Sequence, residues 1–291
     1  LADTRQTFNS IELILGKAKF SGSIDSLQPP DARPSVQMKL SGNELDVEGL
    51  AAFASLFFSD RGANRFADRD LDFAIKAGPV TAGGLTAETL DTALRLHDGV
   101  LEVDRLAIGG LAGSSISATG RLKDFPKNPS GTLDASLVAV DGRSLVEAAA
   151  GQYPGNALLK GLVERAAAYP ELLQDARVDL VAGVAANGDG STGLALSTRG
   201  EAGGTAFSAS LSGQGTADQL AAAPLSLTFD ARNSDATALL ALYGLPVLPL
   251  GLVGEGRTEL SAKGTVAGGL ATSFHLAGQD FSAGFEGEVG D

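Results

Sequence analysis

Apolar and polar residues alternate with period two along most of this chain, the signature of half-buried β-strands. Leu71, Phe73, Ile75 and Ala77 fall on one side of such a segment, with Asp70, Asp72 and Lys76 on the other. Leu90, Leu94 and Leu96 alternate with Asp91, Arg95 and His97, and Leu101 and Val103 alternate with Glu102 and Asp104. Asp98-Gly99 lies between the last two segments and predicts a tight hairpin turn. Further strands are predicted over 115–122, 178–184, 194–196, 207–211, 225–229, 256–263 and 271–276. The period changes over 144–150 and 156–168, which read as helices. Leu158, Leu159, Leu162, Val163 and Ala166 fit one helical face, and Lys160 and Glu164 stand at i,i+4. Pro154-Gly155 separates the two helices, Pro170 ends the second, and Asn233-Ser-Asp-Ala236 opens another with capping residues.

A larger unit recurs: a glycine-containing strand opener, a linker, an alternating strand and a short apolar helix. One copy runs from Phe20-Ser-Gly22 through Ser35–Leu40 to Leu50-Ala-Ala-Phe53. A second runs from Ala118-Thr-Gly120 through Thr132–Leu137 to Leu145-Val-Glu-Ala148. A third runs from Leu211-Ser-Gly213 through Leu225–Phe229 to Leu239-Leu-Ala-Leu242. A strand-only fourth joins Ser261–Gly264 to Ser273–Leu276. Repeated strand units favour a laterally extended sheet over a pocket enzyme. The expected fold is therefore mainly β: an elongated, twisted antiparallel sheet whose repeated units form an apolar groove, plus a few short helices. The expected organisation is an N-terminal β region over 1–143, a helical insertion or end cap over 144–176, and a C-terminal β region over 177–291, possible as one continuous domain.

Composition narrows the chemistry. The 291 residues can bury a sizeable core. There is no Cys, so no disulfide frame, thiolate metal site or Cys nucleophile exists. The net charge of −13 is dispersed without a basic cluster, which argues against nucleic acid and against a polybasic lipid anchor. No apolar run approaches the ~18 residues of a membrane-spanning helix. The longest, 239–253, is broken by Gly244, Pro246, Pro249 and Gly251. The first residues carry no signal-peptide pattern and the last read as strand, so the chain is expected to be cut from a longer polypeptide.

Catalytic motifs are weak. Gly188-Asp-Gly190-Ser-Thr-Gly193 matches G-x-G-x-x-G, but Leu194-Ala-Leu is strand-like where a helix should follow, so a hairpin turn is expected. His97 and His275 are too few for a histidine zinc site, and His97 is expected to face solvent from a strand. Asp68, Asp70 and Asp72 alternate with Leu71 and Phe73, which fits a solvated strand face better than acid–base catalysis. No enzyme activity, cofactor or metal is expected.

Several pieces in a fixed order carry a family likeness. These are Asp70-Leu-Asp-Phe-Ala-Ile75-Lys-Ala, Val80-Thr-Ala-Gly-Gly84-Leu, Leu90–Leu96, Asp98-Gly-Val-Leu101, Gly109-Gly-Leu-Ala-Gly113 and Ser117-Ala-Thr-Gly-Arg-Leu122. Together they resemble the AsmA-like family, best over 35–123 and more loosely to 290. The resemblance implies a periplasmic region of a Gram-negative envelope protein, anchored in the inner membrane by an N-terminal helix absent from this sequence. It also implies outer-membrane biogenesis, with phospholipid carried between inner and outer membrane in a β-groove.

The expectation is a non-enzymatic protein that shields or conducts phospholipid acyl chains. The lipid-facing residues would be Leu71, Phe73, Ile75, Leu94, Leu96, Leu101, Val103, Leu225, Leu227 and Phe229. The alternative is a packed structural or docking module that binds envelope assembly proteins and no lipid. The plainer reading of the same stripes is an ordinary core sealed by the helices.

Overall fold

The computed structural model describes residues 4–15, 18–46, 69–82, 84–125, 129–187, 191–215, 223–245, 254–265 and 267–289. The described residues are mainly β, in twisted mixed sheet, with three short helices among them. The chain divides into two compact units, Leu1–Asn128 and Pro129–Asp291. The helical stretch, 144–176 in the sequence reading, falls inside the second unit.

The first unit contains β1 (Thr4–Leu15), β2 (Ala18–Gln28), β3 (Ser35–Asp46), β4 (Asp70–Ala82), β5 (Leu85–Ala87), β6 (Thr89–His97), β7 (Val100–Leu111) and β8 (Ser114–Lys123). Their order is β1-β2-β3-β4-β6-β7-β8, with β5 on β4. One pairing departs from the antiparallel expectation: β3 and β4 run parallel, with Val36 opposite Leu71 and Met38 opposite Phe73. Residues 47–69 join them, longer than the dozen or so residues a parallel crossover needs. The helix expected at 50–53 and Asp68 lie outside the described residues.

Asp98-Gly99 makes the predicted turn between β6 and β7, with φ of 48° and 73°. Left-handed φ at both central residues is the turn whose twist matches the flanking strands. Ala112-Gly113, with φ of 48° and 77°, repeats it between β7 and β8. On β7, Asp104 is the extra residue of a bulge, because Arg105 faces Ala93 and Val103 faces Leu94. The bulge keeps Leu94 and Val103 in register.

The second unit begins with β9 (Ser130–Asp141), α1 (Arg143–Gln152), α2 (Ala157–Ala168) and a 3-10 turn at Pro170–Leu173. It continues with β10 (Gln174–Ala186), β11 (Thr192–Ala202), β12 (Thr205–Gly215) and β13 (Leu225–Asn233). Last come α3 (Ala236–Leu242), β14 (Gly256–Thr265), β15 (Gly269–Ala277) and β16 (Ser282–Val289). Each strand pairs antiparallel with the next. The G-x-G-x-x-G segment leads into β11, not into a helix, so no phosphate-cradling helix start exists there. Residues 188–190 themselves lie outside the described residues.

The helices gather at one end of this unit's strands. α1, α2 and the 3-10 turn fill the connection from β9 to β10, closed by the Gly142 N–H donating to the Leu173 carbonyl at 2.9 Å. The Asn156 side chain accepts from the Leu158 and Leu159 N–H groups and caps α2. Asp235 caps α3 by accepting from the Thr237 N–H at 2.9 Å. α3 then lies against β13 and β14, burying Ala236, Leu239, Leu240 and Ala241. β14 has to begin with glycine there: a Cβ at Gly256 would come within 2.6 Å of the Ala236 Cβ. One expected helical contact fails, because Leu158 is 81% exposed and only Ala166 of α2 is buried.

Candidate functional site

Cross-strand register converts the alternation into continuous apolar rows, since residues opposite one another share a face. In the first unit Val36, Leu71, Leu96, Leu101 and Leu122 form one row. The next is Ile24, Met38, Phe73, Leu94 and Val103. The third is Leu40, Ile75, Thr92, Leu106 and Ala118. Burial deepens along the strands. Leu71, Phe73, Leu94, Leu96, Leu101 and Val103 are half-buried, whereas Ile75 is 0% exposed. Ile75 packs with Phe20, Leu40, Leu45, Ala77, Val80 and Ala87. It is a core residue, while the other six named residues of this unit line the accessible part of the face.

The second unit repeats the arrangement. One row holds Val184, Leu194, Gly213 and Leu225. The next holds Ala182, Leu196, Leu211, Leu227 and Ala262. The third holds Leu180, Thr198, Ala209, Phe229 and Leu260. Toward the helical end the face is sealed. Leu239 and Leu276, both 0% exposed, pack with Ala231 and Leu240, and Phe207, Phe229, Phe274 and Phe281 close around them. The Phe207 and Phe229 rings stack at 6.4 Å. Phe229 therefore belongs largely to this packed cluster.

Among the described residues, the end away from the helices is open. Leu194 is 48% exposed, Leu196 36% and Leu211 37%. Leucines exposed side by side on one face differ from the scattered surface leucines of any protein. A depression of about 720 Å³ lies at this end of the strands, lined by residues of both faces: Val184, Leu194, Gly213 and Leu225 from the apolar row, and Thr132, Gly183, Ala195, Ser212 and Ser226 from the row that alternates with it. Ligand sites commonly occupy roughly 300–1,000 Å³. The Leu225 side chain lies over Gly213, where a Cβ would come within 2.6 Å of it.

The opposite face of the first unit carries the charges. Arg95 binds Glu102 at 3.1 Å and clamps Asp104, the bulge residue. Lys76 and Arg105 share Asp91. The Arg95 hydrogen bond holds the Asp104 carboxyl below its ordinary range. Hydrogen bonds from Arg5, then from Thr7, lower Asp25 to about 2. His97 Nε2 lies 2.6 Å from Asp72, and Nδ1 lies 3.9 Å from Asp70, all on this charged face. His275 is exposed on β15, opposite Glu259 and Gly284. Exposed pairs of this kind add little to stability, so they mark which face meets water more than they hold the fold.

The expected residues thus fall into two groups, one per unit, each on a single apolar face. Leu194, Leu196 and Leu211 escaped the sequence-based choice. Their alternation matches that of buried leucines, and only the register next to Gly213 signals an open surface. Among the described residues, no cluster of His, Asp and Glu has metal-binding geometry, and no helix is long and apolar enough to cross a membrane. No protein-family model, curated protein or solved structure matches the chain.

Proposed function

We propose that this protein binds lipid acyl chains on the apolar faces of its sheet, as a passive, non-enzymatic carrier or shield. The observation that carries this reading is the run of exposed leucines, Leu194, Leu196 and Leu211, beside the depression at the open end of the second unit. Drawing about ten methylenes out of water is worth ~8 kcal/mol. That corresponds to micromolar affinity before the cost of ordering is subtracted. Headgroups stay in solvent. The likeness to AsmA-like proteins supports a place in the Gram-negative periplasm and a role in outer-membrane biogenesis, with phospholipid as the cargo and an inner-membrane anchor outside this sequence.

Titration with a polyene fatty acid, whose emission rises when its tail leaves water, tests the reading. A saturable rise at micromolar concentration is expected, and a flat titration contradicts it. One observation favours a second reading. All eight residues of β16 are exposed, and among the described residues it pairs with β15 alone. Such an edge can accept a partner strand, as in a docking module for envelope assembly proteins.

A further inference from the structure

Resting on the docking reading of the β16 edge, we infer that this edge takes an extended cationic peptide, with Lys or Arg at alternate positions and apolar residues between them. Register splits β16 into two faces. Ala283, Phe285 and Val289 stand opposite Leu276, Phe274 and Leu270 and continue the apolar face. Glu286 and Glu288 stand opposite Ser273 and Ala271 on the other face. Both carboxylates are exposed, and the nearest ammonium in register, Lys263, stands two strands inward of Glu288. The segments of this unit outside the described residues, 188–190, 216–222, 246–253, 266 and 290–291, contain no Lys, Arg or His. The unit as a whole has eight Lys and Arg against eighteen Asp and Glu, so its field attracts a cation. An added strand sets its side chains directly opposite those of the edge, where opposite charges stabilise and like charges destabilise. A second copy of β16 would gather two carboxylates from each chain on one face, which disfavours self-pairing. The edge itself is a regular template, since its register with β15 runs unbroken from Ser282 to Val289. β1, the end strand of the first unit, is not, because a bulge at Ser10, with φ of 64°, interrupts it.

The test adds fluorescent peptides, each about the length of a typical strand, to the full chain in about 150 mM NaCl, where a contact at strand spacing is only partly screened. One peptide alternates Lys with Val, and a second alternates Glu with Val. A third is the Lys peptide N-methylated throughout, which keeps the charge and removes every backbone donor. Anisotropy is expected to show saturable binding of the Lys peptide, about tenfold tighter than either control. Glu286→Lys with Glu288→Lys is expected to leave the far-ultraviolet circular dichroism unchanged, since both side chains are exposed, and to reverse the preference in favour of the Glu peptide. Equal binding of the Lys and Glu peptides, or Lys-peptide binding undiminished by E286K/E288K, overturns this inference and leaves the strand-addition reading standing. Equal binding of the methylated and unmethylated Lys peptides overturns both, since no strand is then added. A chain that sediments as a dimer and takes no peptide holds a second copy at the edge, which overturns this inference alone. A monomer that takes none overturns the docking reading as well.

Discussion

Leu196 and Leu211 face each other across β11 and β12, and each keeps more than a third of its surface in water. A directly opposed leucine pair normally disappears into a core. Here it lies between the sealed aromatic cluster around Phe229 and the depression beside Leu225. Its exposure makes it the place where function and stability can be separated by mutation.

Leu196→Asp combined with Leu211→Asp is expected to leave the protein folded, because neither side chain is buried. Bound lipid is expected to fall by about tenfold, since two carboxylates on the apolar face would be desolvated by a tail. Circular dichroism and fatty-acid titration on the same sample check both halves. A folded double variant with undiminished lipid binding would rule this face out.

Ile75→Ala is expected to act on stability and spare lipid capture in the second unit. Ile75 is 0% exposed among Phe20, Leu40 and Val80. Truncating such a side chain costs about 2–5 kcal/mol. Chemical denaturation should show the loss in the transition of the first unit. A change below about 1 kcal/mol would mean that the site collapses around the missing atoms.

Tyr243 follows α3, and its hydroxyl lies 3.0 Å from the Thr258 hydroxyl, while its ring meets Phe274 edge-on at 4.9 Å. Burial raises the Tyr243 pKa. Thr258 is 0% exposed. Tyr243→Phe therefore strands a buried hydroxyl and should cost about 1–3 kcal/mol. Adding Thr258→Val should recover most of that loss, because no polar atom then remains unpaired. Equal stability of the single and double variants would contradict the pairing.

Acid sensitivity follows from the carboxylates. Asp25 titrates at about 2 in the folded chain, below the ordinary 3.8, because Arg5 and Thr7 donate to it. Asp104 and Asp141 are lowered in the same direction by Arg95 and Arg143. A depressed folded pKa means that the unfolded chain binds more protons. The stabilisation is thus present above about pH 4 and is lost as pH falls toward about 2. Unfolding midpoints measured across that range should decline, and Asp25→Asn should shallow the decline. Identical acid limbs in the two proteins would contradict the assignment.

Much of this could be read from local pattern. The turn at Asp98-Gly99 is encoded by two residue types that tolerate left-handed φ, and the Asn156 and Asp235 caps by short polar side chains ahead of apolar runs. Period-two alternation placed Leu71, Phe73, Leu94 and Leu101 on one face because alternation is a property of the strand itself. What depends on neighbours was hidden. The parallel pairing of β3 with β4 is set by a crossover whose direction no local pattern states. Ile75 and Leu196 look alike in sequence, yet one is sealed in the core and the other open, since burial depends on what crosses the strand from outside. Leu158 keeps helical period but meets no neighbour that would bury it.

The most direct test of the central claim is mass spectrometry of lipid extracted from the full chain, purified without detergent from a Gram-negative host and compared with an unrelated β protein. The account predicts co-purified phospholipid at about one molecule or more per chain, lost in the Leu196→Asp, Leu211→Asp double variant. Lipid no more abundant than on the control protein would contradict the account and favour a docking module built on the β16 edge.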